Sequence, residues 1–181
     1  MLKNSQLMVV SCGIALQAFI LVLLNAFVAQ FAGADAIWIA FQAWAVYFLA
    51  GCTIKGGVKA WIGYATGVAA SVAIIELMGV PGIKHLPSIG GMNLVMALAV
   101  FIVVVPAIMS ENLKNMIPAL FIGSGAFFGL IGQMPETAGT GCALYGAVAR
   151  AELVYCAFGL VFGYITVFWR GKYEASLKKK A

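Results

Sequence analysis

The side chains able to do chemistry inside the apolar stretches of this chain are few: two carboxylates, Glu76 and Glu152, and a single histidine, His85. A charge at the centre of a bilayer costs about 2.5–3.5 kcal/mol even on lenient scales, so each such group marks a candidate site. All three fall toward the same predicted side as Lys84 and Arg150, which makes them candidates for proton coupling or for an external vestibule. Each also has a plain structural reading. Glu76 can pair with Lys84, Glu152 with Arg150 as a solvated interfacial pair worth little, and His85 sits between Gly82-Ile83-Lys84 and Leu86-Pro87-Ser88 in what reads as an exposed loop. A pH switch is the functional alternative for that histidine, because its imidazole titrates near neutrality.

Neutral polar groups inside the apolar runs are more numerous. Gln17, Asn25 and Gln30 lie in the first run, Gln42 in the second, Thr66 and Ser71 in the third and Ser124 in the fifth. Their default role in lipid is hydrogen bonding between helices. The sharper reading has Gln17, Asn25, Gln42, Thr66 and Ser124 lining a path and replacing the hydration of an uncharged solute. Three GxxxG pairs, Gly63/Gly67, Gly125/Gly129 and Gly159/Gly163, each put two glycines on one helix face, where a neighbouring backbone can approach closely. No nucleophile and base stand at a spacing for covalent catalysis, so enzymatic activity is not expected. Neither a metal site nor a cofactor is predicted, and Cys12, Cys52, Cys142 and Cys156 show no C-x-x-C spacing.

The elements that must position these groups follow from composition. Of 181 residues, 64% are hydrophobic and 9% charged, against roughly 45–50% and about 25% in a soluble domain. Mean hydropathy is +1.03 and the isoelectric point near 9.1. Too few polar side chains remain to coat a water-soluble surface, so the expected fold is an all-α integral membrane protein forming one transmembrane domain. With about 20 apolar residues per crossing, six spans are predicted: 7–32, 36–54, 58–78, 92–109, 117–134 and 152–169, followed by a basic tail, 170–181. The first run exceeds the roughly 7–15 apolar residues of a signal peptide. Lys3, Lys55, Lys59, Lys114, Arg170, Lys172 and Lys178–Lys180 then fall on one side and only Lys84 and Arg150 on the other, which places both termini in the cytoplasm by the positive-inside rule. The positive charge of +5 is thus a topology signal and not a nucleic-acid footprint. Segment 135–151 is small, Gly-rich and too short to cross, and reads as an outer-surface loop or interfacial helix, or else as a re-entrant dip; Pro106 and Pro118 are potential breaks in spans four and five, although proline near a helix start is ordinarily harmless.

Phe48-Leu49-Ala50-Gly51-Cys52 ahead of Gly63/Gly67 resembles Leu120-Phe121-Ile122-Gly123-Ser124 ahead of Gly159/Gly163. Three spans per half would make the second copy inverted in the membrane. Three segments, Phe48–Thr53 with Gly56–Lys59, Ile117–Gly123 and Gly159–Tyr164, carry a likeness beyond the chain itself: it resembles the YcdZ-like family of small bacterial inner-membrane proteins, departing from it by an insertion at 135–151. That resemblance implies a bacterial inner membrane and no known chemistry. The function expected is a channel or facilitator for a small uncharged polar solute, urea- or amide-like. The alternatives are a proton-coupled secondary transporter using Glu76, and a non-transporting membrane subunit or scaffold. The expected partners are the lipid bilayer, the solute and further copies of the chain in a homo-oligomer.

Overall fold

The computed structural model describes residues 4–87, 89, 93–114 and 116–179. Lys3, Met92 and Lys180, which entered the predicted topology, lie outside them, as does the side chain of Lys114. The elements are helical: α1 (Asn4–Ala32), α2 (Ile37–Leu49), α3 (Ile54–Met78), α4 (Pro81–Lys84), α5 (Leu94–Lys114), α6 (Ile117–Ile131), a 3-10 turn at Glu136–Ala138, and α7 (Cys142–Lys178). Three of them, α1, α3 and α7, with 29, 25 and 37 residues, are long and apolar enough to cross a membrane. α5 has 21 residues, whereas α2 and α6 are shorter than their predicted spans. With 13 residues in α2 and 15 in α6, a rise of 1.5 Å per residue gives about 20 and about 22 Å, below the roughly 30 Å hydrocarbon thickness.

Local chemistry explains those ends. α2 stops because Gly51 (φ 84°) and Cys52 (φ 58°) take left-handed backbone, and the Cys52 amide turns back to the Tyr47 carbonyl at 3.2 Å. Thr53 then caps α3, its hydroxyl accepting from the Gly56 amide at 3.0 Å. Neither proline marked as a potential break interrupts its helix. α5 runs through Pro106, and Pro118 occupies the first turn of α6, where a missing amide proton is harmless. Segment 135–151 does not dip into the bundle as a loop: after the 3-10 turn its second half is the opening of α7.

Packing pairs the two halves of the chain. α3 lies chiefly against α6 and next against α5, while α7 lies chiefly against α2 and next against α1; α3 and α7 also touch each other. Exchanging α1 with α5, α2 with α6 and α3 with α7 maps these chief contacts of α3 onto those of α7, although α7 packs more against α6 than α3 does against α2. The glycines fix the register of this correspondence. A Cβ on Gly67 of α3 would strike the carbonyl oxygen of Leu120, the fourth residue of α6, and one on Gly159 of α7 would strike that of Ala40, the fourth residue of α2. Gly67 thus matches Gly159, one helical turn away from the Gly63-to-Gly159 alignment suggested by sequence. Buried aromatic residues fill the space between these helices, among them Trp44, Tyr47, Tyr64, Phe127 and Tyr155.

Candidate site at the meeting of α3, α6 and α7

α7 begins ten residues earlier than the predicted span, which puts Glu152 nearly three turns inside the helix and not at its mouth. The buried stripe Val148, Ala151, Glu152, Tyr155, Cys156 and Gly159 has the three-and-four spacing of a core-facing helix side, so Glu152 occupies a core position and is 0% exposed. Arg150, two residues back, faces another way, since positions two apart on a helix do not meet. It is exposed and donates from Nε to the Ala32 carbonyl at the end of α1 (3.3 Å). The expected Arg150–Glu152 pair is therefore absent for a geometric reason.

Both carboxylate oxygens of Glu152 lack a hydrogen-bond partner. On α6 they are met by Gly123: a Cβ there would lie 3.2 Å from Glu152 Oε1, 2.8 Å from the Tyr64 Cα and 2.9 Å from the Tyr64 carbonyl oxygen. Tyr64 and Cys156, fully buried, lie within electrostatic range of the same carboxyl group. The Tyr64 hydroxyl is also unpartnered. The carboxyl and the phenol thus each keep unused hydrogen-bonding capacity in the interior of the bundle. Among the described residues no group of three or more His, Cys, Asp or Glu side chains stands ready for a metal ion.

The other candidates from the sequence lie elsewhere. Glu76 is exposed and turned toward Tyr145, and His85 is exposed beyond α4. Gln42 is exposed, and Thr66 folds its hydroxyl back to the Ile62 carbonyl at 2.9 Å. Gln17 and Asn25 tie α1 to α7: Thr166 donates to Gln17 at 2.6 Å, and the Tyr155 hydroxyl donates to Asn25 at 2.7 Å while Asn25 donates to Asp35 at 2.9 Å. Ser124 pairs with Ser71, oxygen to oxygen at 2.7 Å, where α6 crosses α3. Gln17, Asn25 and Ser124 thus fasten helices together. Bonds of this kind in membranes average about 0.6 kcal/mol with a ceiling near 1.7. Thr166→Val and Asn25→Leu are expected to lower unfolding free energy by roughly that much each, measured by denaturant titration in micelles.

The glycine pairs divide as well. Gly67, Gly123, Gly159 and Gly163 are buried at helix crossings and Gly63 is buried in α3, whereas Gly125 and Gly129 face outward. A Cβ on Gly125 would meet nothing, and one on Gly129 only the edge of Trp38 at 3.4 Å. Sequence reasoning missed Tyr64 and Gly123 as members of a site. The available signal was Gly123 on the α6 pattern, one turn from Phe127, but nothing in the spacing said that it would face a carboxylate. Grooves open on the flanks of the bundle, two of which border α7. One, of about 450 Å³, is lined by Ile14, Phe48, Thr166 and Arg170; the other, of about 430 Å³, by Tyr47, Trp61, Leu160 and Tyr164.

Fold and site define an all-helical protein with helices long and apolar enough to cross a membrane and one unpaired carboxyl buried among them. Residues 15–169 match the model of a family described as a protein of unknown function, DUF1097, and over that span the chain belongs to this family. No curated protein and no solved structure matches the chain.

Proposed function

We propose that the protein is a multi-pass membrane transporter that carries a small uncharged polar solute together with a proton, and that Glu152 is the proton-carrying group. The single observation behind this reading is the Glu152 carboxyl, 0% exposed and without a partner for either oxygen. An isolated carboxylate in low dielectric is so costly that the group takes up a proton or finds a partner, and an acid kept at such a place in a membrane is by default functional. Glu152 takes the coupling role first considered for Glu76.

The architecture supports the same reading. In transport folds built from two inverted halves, short apolar segments in matching positions flank the solute site. Here α2 and α6 are the short pair, they correspond under the exchange of halves, and α6 touches the Glu152 site through Gly123. Six crossings with two inverted halves, both termini in the cytoplasm of a bacterial cell and a homo-oligomer in the inner membrane complete the proposal, supported by the Lys/Arg bias and the YcdZ-like resemblance. A passive facilitator with its path between copies is the second reading, favoured by the outward-facing Gln42, Gly125 and Gly129.

Proteoliposomes separate these readings. Coupled transport predicts uptake of small neutral solutes that speeds up under an imposed proton gradient. Gradient-independent uptake above that of empty vesicles would assign the facilitator, and uptake equal to empty vesicles across the solute panel would refute both.

A further inference from the structure

We propose that the outward faces of α2 and α6 form a contact between two copies of the chain, with Gln42 of each copy bonded to Gln42 of the other across a two-fold axis. The inference rests on the membrane reading and names the face through which the proposed homo-oligomer assembles. It does not depend on what the protein carries.

The observation that carries it is Gln42. This residue lies near the middle of α2, on the exposed side together with Phe41, Ala45 and Leu49, and among the described residues its amide has no hydrogen-bond partner. At 1.5 Å per residue, about 7 to 11 Å of helix separates it from either end of α2, and glutamine lacks the long stem by which lysine and arginine bring a polar head out to the interface. A bilayer around this face leaves two N–H donors and a carbonyl in hydrocarbon, which is costly unless they are bonded.

α6 brings small residues to the same place. Trp38, near the start of α2, borders Gly129, near the end of α6, and Leu49 at the end of α2 shares a surface hollow with Met116 just ahead of α6. The two helices therefore run side by side in opposite directions. One turn in from Trp38 and Gly129 stand Gln42 and Gly125, both exposed. A Cβ on Gly125 would meet nothing within the chain, so a second backbone can approach closely there. Both helices are also shorter than the hydrocarbon is thick, a mismatch that association relieves.

The chemistry of the amide selects a second copy as the occupant. A glutamine amide both donates and accepts, so two of them related by a two-fold axis satisfy each other through reciprocal bonds, and a contact of that symmetry sets the same residue of each copy at the axis. An acyl chain would leave the amide unpaired, and a charged partner would itself have to be desolvated.

Sedimentation equilibrium of the full chain in density-matched micelles tests this. An equilibrium between monomer and dimer is expected. Gln42→Leu should raise its dissociation constant roughly tenfold, the worth of two interhelical bonds. Gly125→Leu, bulkier than the small residues such faces accept, should leave monomer alone, both variants keeping their helicity. Leu16→Ala, on the exposed side of α1, should change nothing. Ala45→Cys, which keeps Gln42, should cross-link two copies in native membranes under a membrane-permeant oxidant, above the background of the four natural cysteines. A monomeric unsubstituted protein would overturn the proposal. So would a dimer unmoved by Gln42→Leu and Gly125→Leu, although the homo-oligomer would then survive with another face. Cross-linking at position 45 to a different protein alone would overturn it in favour of a hetero-complex. Dimerisation through this face without solute uptake in vesicles would remove the transport reading and leave the contact standing, and uptake by a monomeric protein would do the reverse.

Discussion

Glu152→Leu is expected to raise the unfolding free energy of the protein in micelles by about 1–3 kcal/mol while eliminating proton-driven uptake. The magnitude is the cost of a buried polar group left without a hydrogen bond, which a leucine of similar volume removes. The sign follows from the carboxyl having no partner for either oxygen: nothing favourable is lost with it. Removing one member of a satisfied buried ion pair gives the opposite sign, a loss of about 3–5 kcal/mol, so the direction of the change tells a functional acid from a structural one. Glu152→Gln keeps a polar group in place and should leave stability near the starting value, yet it cannot carry a proton, and uptake should fall to the level of empty vesicles. Chemical unfolding and gradient-driven uptake, measured on the same preparations, decide the matter. A destabilised Glu152→Leu protein, or uptake unchanged in Glu152→Gln, would contradict it.

The second large effect concerns the helix crossings. Gly67→Ala and Gly159→Ala should each destabilise by about 3 kcal/mol or more, the upper end for overpacked cores, because each new methyl group would meet a backbone carbonyl, of Leu120 or of Ala40, and not the flexible end of a side chain. Gly125→Ala is the matched control. Its Cβ meets nothing, and replacing glycine by alanine within a helix gains roughly 0.5–1 kcal/mol in propensity. Equal effects at the three positions, read from unfolding midpoints, would mean that the crossings are not where the glycines place them.

Much of the scaffold was legible from residue types. Apolar runs located the helices, and α1 ends at Ala32 as its hydrophobic stretch does. Helix ends set by backbone conformation were not legible: span two was drawn through to Ile54, while the positive φ of Gly51 and Cys52 ends α2 at Leu49. The site was harder still. Glu152 was singled out but placed at the surface, because the uncharged, Gly-rich run before it reads as loop, whereas it forms the first turns of α7. That extension changes the depth of every residue behind it. Gln17, Asn25 and Ser124, which the sequence offers either as helix fasteners or as a solute path, bond to Thr166, Tyr155 and Ser71, 149, 130 and 53 positions away, a separation that periodicity within one helix cannot report. The halves resembled each other by composition, yet their register came only from which carbonyl each glycine faces.

Those long separations also bear on how the chain assembles. α1 is made before α7, and its polar fasteners answer to that later helix. At roughly 5–20 residues per second, Gln17 waits on the order of ten to thirty seconds in lipid before Thr166 exists to meet it. On the proposed membrane reading α1 then lacks these partners until α7 is made, so a ribosome stalled before α7 should leave α1 open to capture by membrane chaperones or proteases.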